Sequence, residues 1–350
     1  MSRMISTILI SLLTTALVFT LLSTALAHSP LFPDENYSPA TAYQIEDPLK
    51  SWAIYTALNN PEKGDYYKFK MSSGDRIQVS VFTPKRPSNS GFLPSLALMT
   101  PGNTQKDILP AYVEVPYSYG AIVVNGIDPV QATYEPFSPG WIYETVNLNM
   151  KAPTDGIYYL VVFNNDHMTG NYGLAVGYIE EFTPIEIVMV PYNLQGVYAW
   201  EGQNRFVTLL PIILMLVIGG IILYWRSNHG KAPKGISKWL AAFAGLAFLG
   251  SAANTIYQIL LTFRITGFKG EVVLTLLFVF IYLLLALFTF IYAVRNKPDL
   301  TPRRRGVLIL IGIVALFSWS GLYVGPALAI FAALVPPYTI KINIDTKGLT

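Results

Sequence analysis

The 350-residue chain has no cysteine and only three histidines, and its charged residues, 13% of the total, are almost absent from its longest apolar runs. Without cysteine there is no disulfide staple, no thiol nucleophile, no Cys-type zinc site and no iron–sulfur cluster. His28, His167 and His229 all lie outside the apolar runs, which excludes a bundle holding haem between paired axial imidazoles. No glycine-rich phosphate loop, nucleophile elbow or zincin helix motif occurs, and scattered Ser, Asp and His residues do not make a triad. The chain therefore reads as non-catalytic.

What is present divides near residue 205. Residues 28–205 hold 18 Asp and Glu against 10 Lys and Arg, whereas residues 206–350 hold 3 against 13. The basic residues of the second part sit between apolar runs, where membrane topology accounts for them, so nucleic acid is not a partner.

The first 27 residues read as an export signal. Arg3 supplies a positive start, residues 5–22 an apolar stretch, and Ala25-Leu26-Ala27 a small-x-small cleavage pattern ahead of His28. An uncleaved anchor helix is the alternative, although the apolar stretch is short for the ~20 residues a span requires.

Four membrane segments are expected, at residues 206–225, 239–263, 272–294 and 307–335. Arg226, Lys231, Lys234 and Lys238 fall between the first two, and Arg295, Lys297, Arg303, Arg304 and Arg305 between the last two. The positive-inside rule places both loops in the cytoplasm. That leaves the N-terminal part, the turn from Arg264 to Glu271 and a tail at 336–350 outside, in a multi-pass protein of the plasma membrane. Pro326 is expected to kink the fourth segment or end it near Gly325.

The exported part reads as β. Residues 66–70, 76–82, 96–99 and 157–163 are short runs rich in aromatic and β-branched side chains, several of them alternating apolar with polar. Ser73-Gly74-Asp75, Pro101-Gly102-Asn103 and Thr154-Asp155-Gly156 separate them as turns. The expected fold class is an all-β, jelly-roll-like extracytoplasmic sandwich at 28–182, a juxtamembrane linker at 183–205 and a four-helix transmembrane domain at 206–335. In the linker, Thr183-Pro184-Ile185-Glu186 should start a short helix that Pro191 stops, and Tyr192, Tyr198, Trp200 and Phe206 fit an interfacial aromatic belt.

The order of motifs resembles the pre-peptidase C-terminal type of β-sandwich over residues 50–178. Asp65-Tyr66-Tyr67-Lys68-Phe69, Gly74 before an alternating strand, Pro94-Ser95-Leu96-Ala97-Leu98, Gly156 to Val162 and Gly170-Asn171-Tyr172-Gly173 carry the likeness. The resemblance implies an accessory module, with calcium or polysaccharide among the ligands such modules bind. The chain departs from the pattern by a Pro- and Tyr-rich stretch at 107–152 and by its membrane helices. The expected role is a cell-surface binding or sensing module, or an accessory subunit, whose partners are the bilayer, a protein or polysaccharide ligand, and a membrane partner or second copy.

Two metal sites are conceivable. A mature N-terminal His28, through its amine and imidazole, could chelate copper with His167, giving a copper-binding protein or copper enzyme. Asp155, Asn164 and Asp166, with Asp65 as a further oxygen donor, could hold calcium. Inside the membrane Asn254 and Gln258, four residues apart, are expected to face the bundle as packing contacts; a small transporter would instead use them as its pathway.

Overall fold

The computed structural model describes residues 28–84, 91–129, 131–135, 138–230, 233, 235–267, 270–294 and 301–336. The expected signal segment and the 336–350 tail beyond Pro336 lie outside these residues. The chain divides into two compact units, one made of 19–209 with 255–277, the other of 1–18, 210–254 and 278–350.

The first unit is built on two sheets. The six-stranded sheet has the order β1 (Ser29–Leu31), β3 (Trp52–Leu58), β11 (Gly170–Val176), β5 (Arg76–Pro84), β9 (Gly140–Lys151) and β8 (Thr133–Glu135). The five-stranded sheet runs β2 (Tyr43–Gln44), β4 (Asp65–Met71), β10 (Gly156–Phe163), β6 (Ser95–Pro101) and β7 (Tyr119–Val124). The alternation seen in the sequence has its physical cause here: Ile77, Val79 and Val81 are buried on one face of β5, while Arg76 is exposed and Gln78 and Ser80 are only half-buried. Ile54, Val81 and Leu174 from the larger sheet join Phe69, Leu98 and Leu160 from the smaller in one core cluster.

Within that core the hydroxyls of Tyr67 and Tyr172 are 2.6 Å apart, and Tyr172 donates to Asp65 Oδ2 at 2.7 Å. Burial pushes the Asp65 carboxyl up to about 6, against the opposing hydrogen bond from Tyr172. A second cluster lies where Tyr66, Met99, Val161 and Phe163 meet Val113, and Tyr66 Oη accepts the Glu114 N–H at 2.7 Å.

The stretch at 107–152, read from sequence as an insertion, supplies three strands. β9 pairs with β5 along nearly its whole length, with a register shift at Val81/Phe82. Asn147, Asn149 and Lys151 alternate with Val146, Leu148 and Met150, but Trp141 is out of phase with that second set because the shift adds a residue.

The expected linker is also ordered. Helix α1 runs Pro184–Trp200, opened by a capping box in which Thr183 accepts from Glu186 N and Glu186 reaches back to Thr183 N. Lys50 and Glu186 form an ion pair at 2.6 Å, and the Lys50 contact with the partner bonds at Thr183 holds the Glu186 carboxyl below its usual range despite partial burial. Pro191 does not stop this helix; it is buried within it. Tyr198 and Trp200 are buried, whereas Tyr192 and Phe206 are exposed. The Trp200 indole N–H donates to Thr56 O at 2.9 Å and Tyr172 O at 3.0 Å, and its ring meets Tyr55 and Phe82 edge-on. A methyl at Gly173 would overlap the Phe82 ring, so glycine there leaves the space that ring fills.

Among the described residues, three helices are long and apolar enough to cross a membrane: α2 (Arg205–Asn228), α3 (Ile236–Thr266) and α4 (Val272–Val294). They coincide with the first three expected segments. The fourth is not one helix. α5 (Pro302–Phe317) ends at a turn with positive φ at Trp319, Gly321 and Leu322, and α6 (Val324–Leu334) folds back along it. Arg305, near the start of α5, donates to Ala333 O at 3.0 Å and Val335 O at 3.2 Å at the end of α6. Eleven residues of α6 rise only ~16 Å, about half of a ~30 Å hydrocarbon layer. The break falls before Gly325, and Pro326 sits in the first turn of α6, where no intrahelical N–H bond is lost.

In this second unit the hairpin packs on α3. Gly321 N donates to Ser251 Oγ at 2.7 Å, and Gly321 and Gly325 lie so close to the Phe248 ring that side chains there would collide with it. Ser237 Oγ donates to Ala332 O at 2.5 Å, and the Trp319 ring stacks on Phe278.

Candidate functional site

Within the β unit, a cavity of about 170 Å³ is lined by Pro84, Pro139, Gly140, Trp141, Glu201, Gln203, Gln258, Leu261 and Thr262. Its polar wall is set by the way α1 ends. Gly202 adopts φ +89°, a conformation that costs residues with a Cβ, and Gln203 N returns to Tyr198 O at 2.8 Å. Reversing the chain in this way brings both Glu201 and Gln203 to the cavity.

The opposite wall comes from the start of β9 and the end of α3. Thr262 Oγ1 lies 3.1 Å from Pro139 O and 2.8 Å from Gln258 O, and Tyr134 and Thr275 share a 2.7 Å hydroxyl contact. Gln203 and Gln258 exchange two amide hydrogen bonds of 2.9 Å each. Gln203 Nε2 also donates to Glu201 Oε2 at 3.1 Å. A methyl at Gly140 would overlap Glu201 Oε1, so glycine at the first position of β9 makes room for the carboxyl.

Among the described residues, no Lys, Arg or His lines this cavity. Burial, with a smaller contribution from the charge of Glu135 and against the Gln203 hydrogen bond, pushes the Glu201 carboxyl from 4.5 up to about 8. The half-buried side chain lines the cavity, and the raised value favours its protonated form at neutral pH. The Trp141 indole N–H, buried in the same wall, has no hydrogen-bond partner. The arrangement therefore sets the Glu201 acid beside apolar surface from Pro84, Pro139 and Leu261.

Of the residues singled out from sequence, Gln258 alone reaches this site. Asn254 does not share its role: its Oδ1 is buried without a partner, while Gln258 is fully paired through Gln203.

The two copper candidates are held apart. His28 Nδ1 contacts Ser51 Oγ, just before β3, whereas His167 Nδ1 lies 3.3 Å from Pro61 O, beyond the other end of that strand. Seven residues of β3 span ~23 Å. The calcium candidates are similarly divided. Asp155 precedes β10 and accepts from Ser73 N at 2.6 Å; Asn164 follows it and uses Oδ1 to accept from Asp166 N and Met168 N. Asp65 is committed to Tyr172. Among the described residues, no three His, Asp or Glu side chains form a group able to hold a metal ion.

Glu201, Gln203 and Trp141 were not legible as a site. A polar Glu-Gly-Gln-Asn run ahead of an apolar helix reads as a solvated boundary, and Trp141 is some 60 positions away.

No family model and no curated protein matches the chain. Among solved structures it is similar to the pre-peptidase C-terminal domain of a collagenase from Bacillus anthracis, at 21% identity and a TM-score of 0.22, over 41% of this chain and 95% of that one. It is also similar to the Methylococcus capsulatus secreted protein MopE, in which an oxidized tryptophan facilitates copper binding, at 10% identity and a TM-score of 0.15, over 32% of this chain and 69% of that one. The collagenase domain is of the type that the motifs at 50–178 resemble. At these scores neither likeness bears on ligand or activity.

Proposed function

We propose that this protein is a membrane-anchored cell-surface binding or sensing module, non-catalytic, in which an exported β-sandwich takes a ligand in the Glu201 cavity. The observation that carries this reading is the cavity itself, a space of about 170 Å³ where Glu201 stands beside Trp141, Pro84, Pro139 and Leu261. A mostly apolar space with a carboxyl on its wall suits a small ligand.

The charge division supports export of the β part, and the signal-like segment ending at Ala27 agrees with it. In this reading α2, α3 and α4 cross the membrane, and the α5–α6 hairpin enters and leaves on one side in place of a fourth span. The support is Arg305, which ties the start of α5 to the end of α6. Pro336, after the end of α6, then lies on the same cytoplasmic side as Pro302 at the start of α5.

Native mass spectrometry of the full chain released from its own membranes tests the reading. Wild type should carry a small-molecule mass that Glu201→Ala lacks; identical spectra for the two, with no added mass, would count against it.

A further inference from the structure

We infer that the exposed face of α1 is seated in the lipid leaflet at which α2 enters the membrane, so that the β unit rests on the bilayer surface and does not hang from a free tether. This rests on the membrane-anchored reading and goes beyond it in naming lipid as what covers this helix.

The composition of α1 sets the problem. Of its 17 residues only Glu186 is an acid or a base of the Asp, Glu, Lys, Arg and His kinds, and Lys50 holds its carboxylate at 2.6 Å. Ile187, Pro191 and Tyr198 are buried along one side. Ile185, Met189 and Tyr192 follow at i, i+4 and i+7, which sets them together on the opposite face, and there they are 70%, 39% and 66% exposed. Gly196 continues that row, and its missing Cβ makes room for the ring of Phe32, itself 46% exposed. A spacer in water would carry polar side chains on its free face. A helix that is apolar on both faces is stable where both are covered.

The neighbouring chain identifies the cover. The Thr208 hydroxyl, at the start of α2, donates to Gln195 Oε1 of α1 at 2.8 Å, and both residues belong to the first unit. Tyr192 is one turn before Gln195, so it lies only ~4.5 Å along α1 from this bond. At the same end of α2, Phe206 and Val207 are exposed at the head of a helix apolar enough to cross a membrane. A ring bearing a hydroxyl suits the headgroup boundary, and Ile185 and Met189 suit the acyl region under it. A second copy or a soluble partner is the poorer fit. Phe32, Ile185, Met189 and Tyr192, each partly buried and none larger than about 250 Å² when bare, fall short of the ~800 Å² that each side of a stable interface buries.

Site-directed spin labelling tests this in the full chain, which has no cysteine of its own. Ile185→Cys, Met189→Cys and Tyr192→Cys each receive a nitroxide, with one protein copy per lipid nanodisc. Tyr117→Cys in the β unit is the water reference and Ile218→Cys, within α2, the lipid reference; all five side chains are exposed, so the label displaces no core contact. Collisions with oxygen, which dissolves in hydrocarbon, are compared with collisions with a water-soluble nickel chelate. Labels at 185, 189 and 192 should meet the chelate about tenfold less often than the label at 117, and should meet oxygen as often as the label at 218. Chelate contact equal to that at 117, with 218 still shielded, would overturn the inference and leave the membrane domain standing. Shielding of the three labels from both probes would overturn it as well, because protein would then cover the face. Free chelate contact at 218 would remove the span, and the membrane-anchored reading with it.

Discussion

Gln203 and Gln258 hold one another through two reciprocal amide hydrogen bonds of 2.9 Å, one side chain from the segment after α1 and the other from α3. The pair meets the Gln258 amide in a place where it would otherwise be buried without a partner, since Gln258 is only 1% exposed. Gln203→Leu strands the buried Gln258 amide at a cost of about 1–3 kcal/mol, whereas Gln258→Leu leaves Gln203 its bond to Glu201 and should cost less. The double leucine variant should cost less than the sum of the two, because no amide is then orphaned. Thermal unfolding of the three variants in detergent measures this; strict additivity would show that the pair does not act as a unit.

Asn254 should behave in the opposite way. Its Oδ1 is buried without a partner, so Asn254→Leu removes an unmet group and is expected to leave the unfolding temperature unchanged or raise it. A drop as large as that of Gln258→Leu would place the two residues in one packing face.

Glu201 gives stability a pH dependence with a definite sign. Its carboxyl titrates at about 8 in the folded protein and near 4.5 without its surroundings, so the folded state binds the extra proton between these values. The stability attached to it is full below about pH 4.5, declines as pH rises, and is gone above about 8. Glu201→Gln should flatten the decline between pH 5 and 8. Parallel curves for wild type and variant would show that the carboxyl is not held protonated.

The Tyr67, Tyr172 and Asp65 chain predicts an order of damage. Tyr172→Phe deprives Asp65 of its O–H donor in a buried setting and should cost about 1–3 kcal/mol. Tyr67→Phe removes one hydroxyl contact while leaving Tyr172 bonded to Asp65, and should cost less. Chemical unfolding of the two variants gives the comparison, and equal losses would contradict it.

How far these elements could be read in advance depends on what signals them. β5 is legible because Ile77, Val79 and Val81 alternate with polar residues across a single face. β9 is not, because its register shift puts Trp141 and Val146 out of phase and hides the period of two. α1 is readable at its start through Thr183 and Glu186, but not at its end: the packing of Trp200 on the sheet, beyond Pro191, is a tertiary effect. The α5–α6 segment is apolar from end to end, and hydropathy records length without direction; the reversal depends on the positive φ at Trp319, Gly321 and Leu322. The cavity escaped notice for the same reason. Gly140 and Glu201 are close only because the fold places the carboxyl where a side chain at 140 would go.

The central claim, an exported β module on a membrane domain, is most directly tested by sidedness, and a chain without cysteine suits the purpose. Single cysteines at Tyr117, which is 96% exposed in the β unit, at Ser227 near the end of α2, and at Pro336 after α6 would be treated in intact cells with a membrane-impermeant maleimide. The account predicts labelling at 117 and protection at 227 and 336 until the membrane is opened. Protection at 117 with labelling at 227 would contradict it.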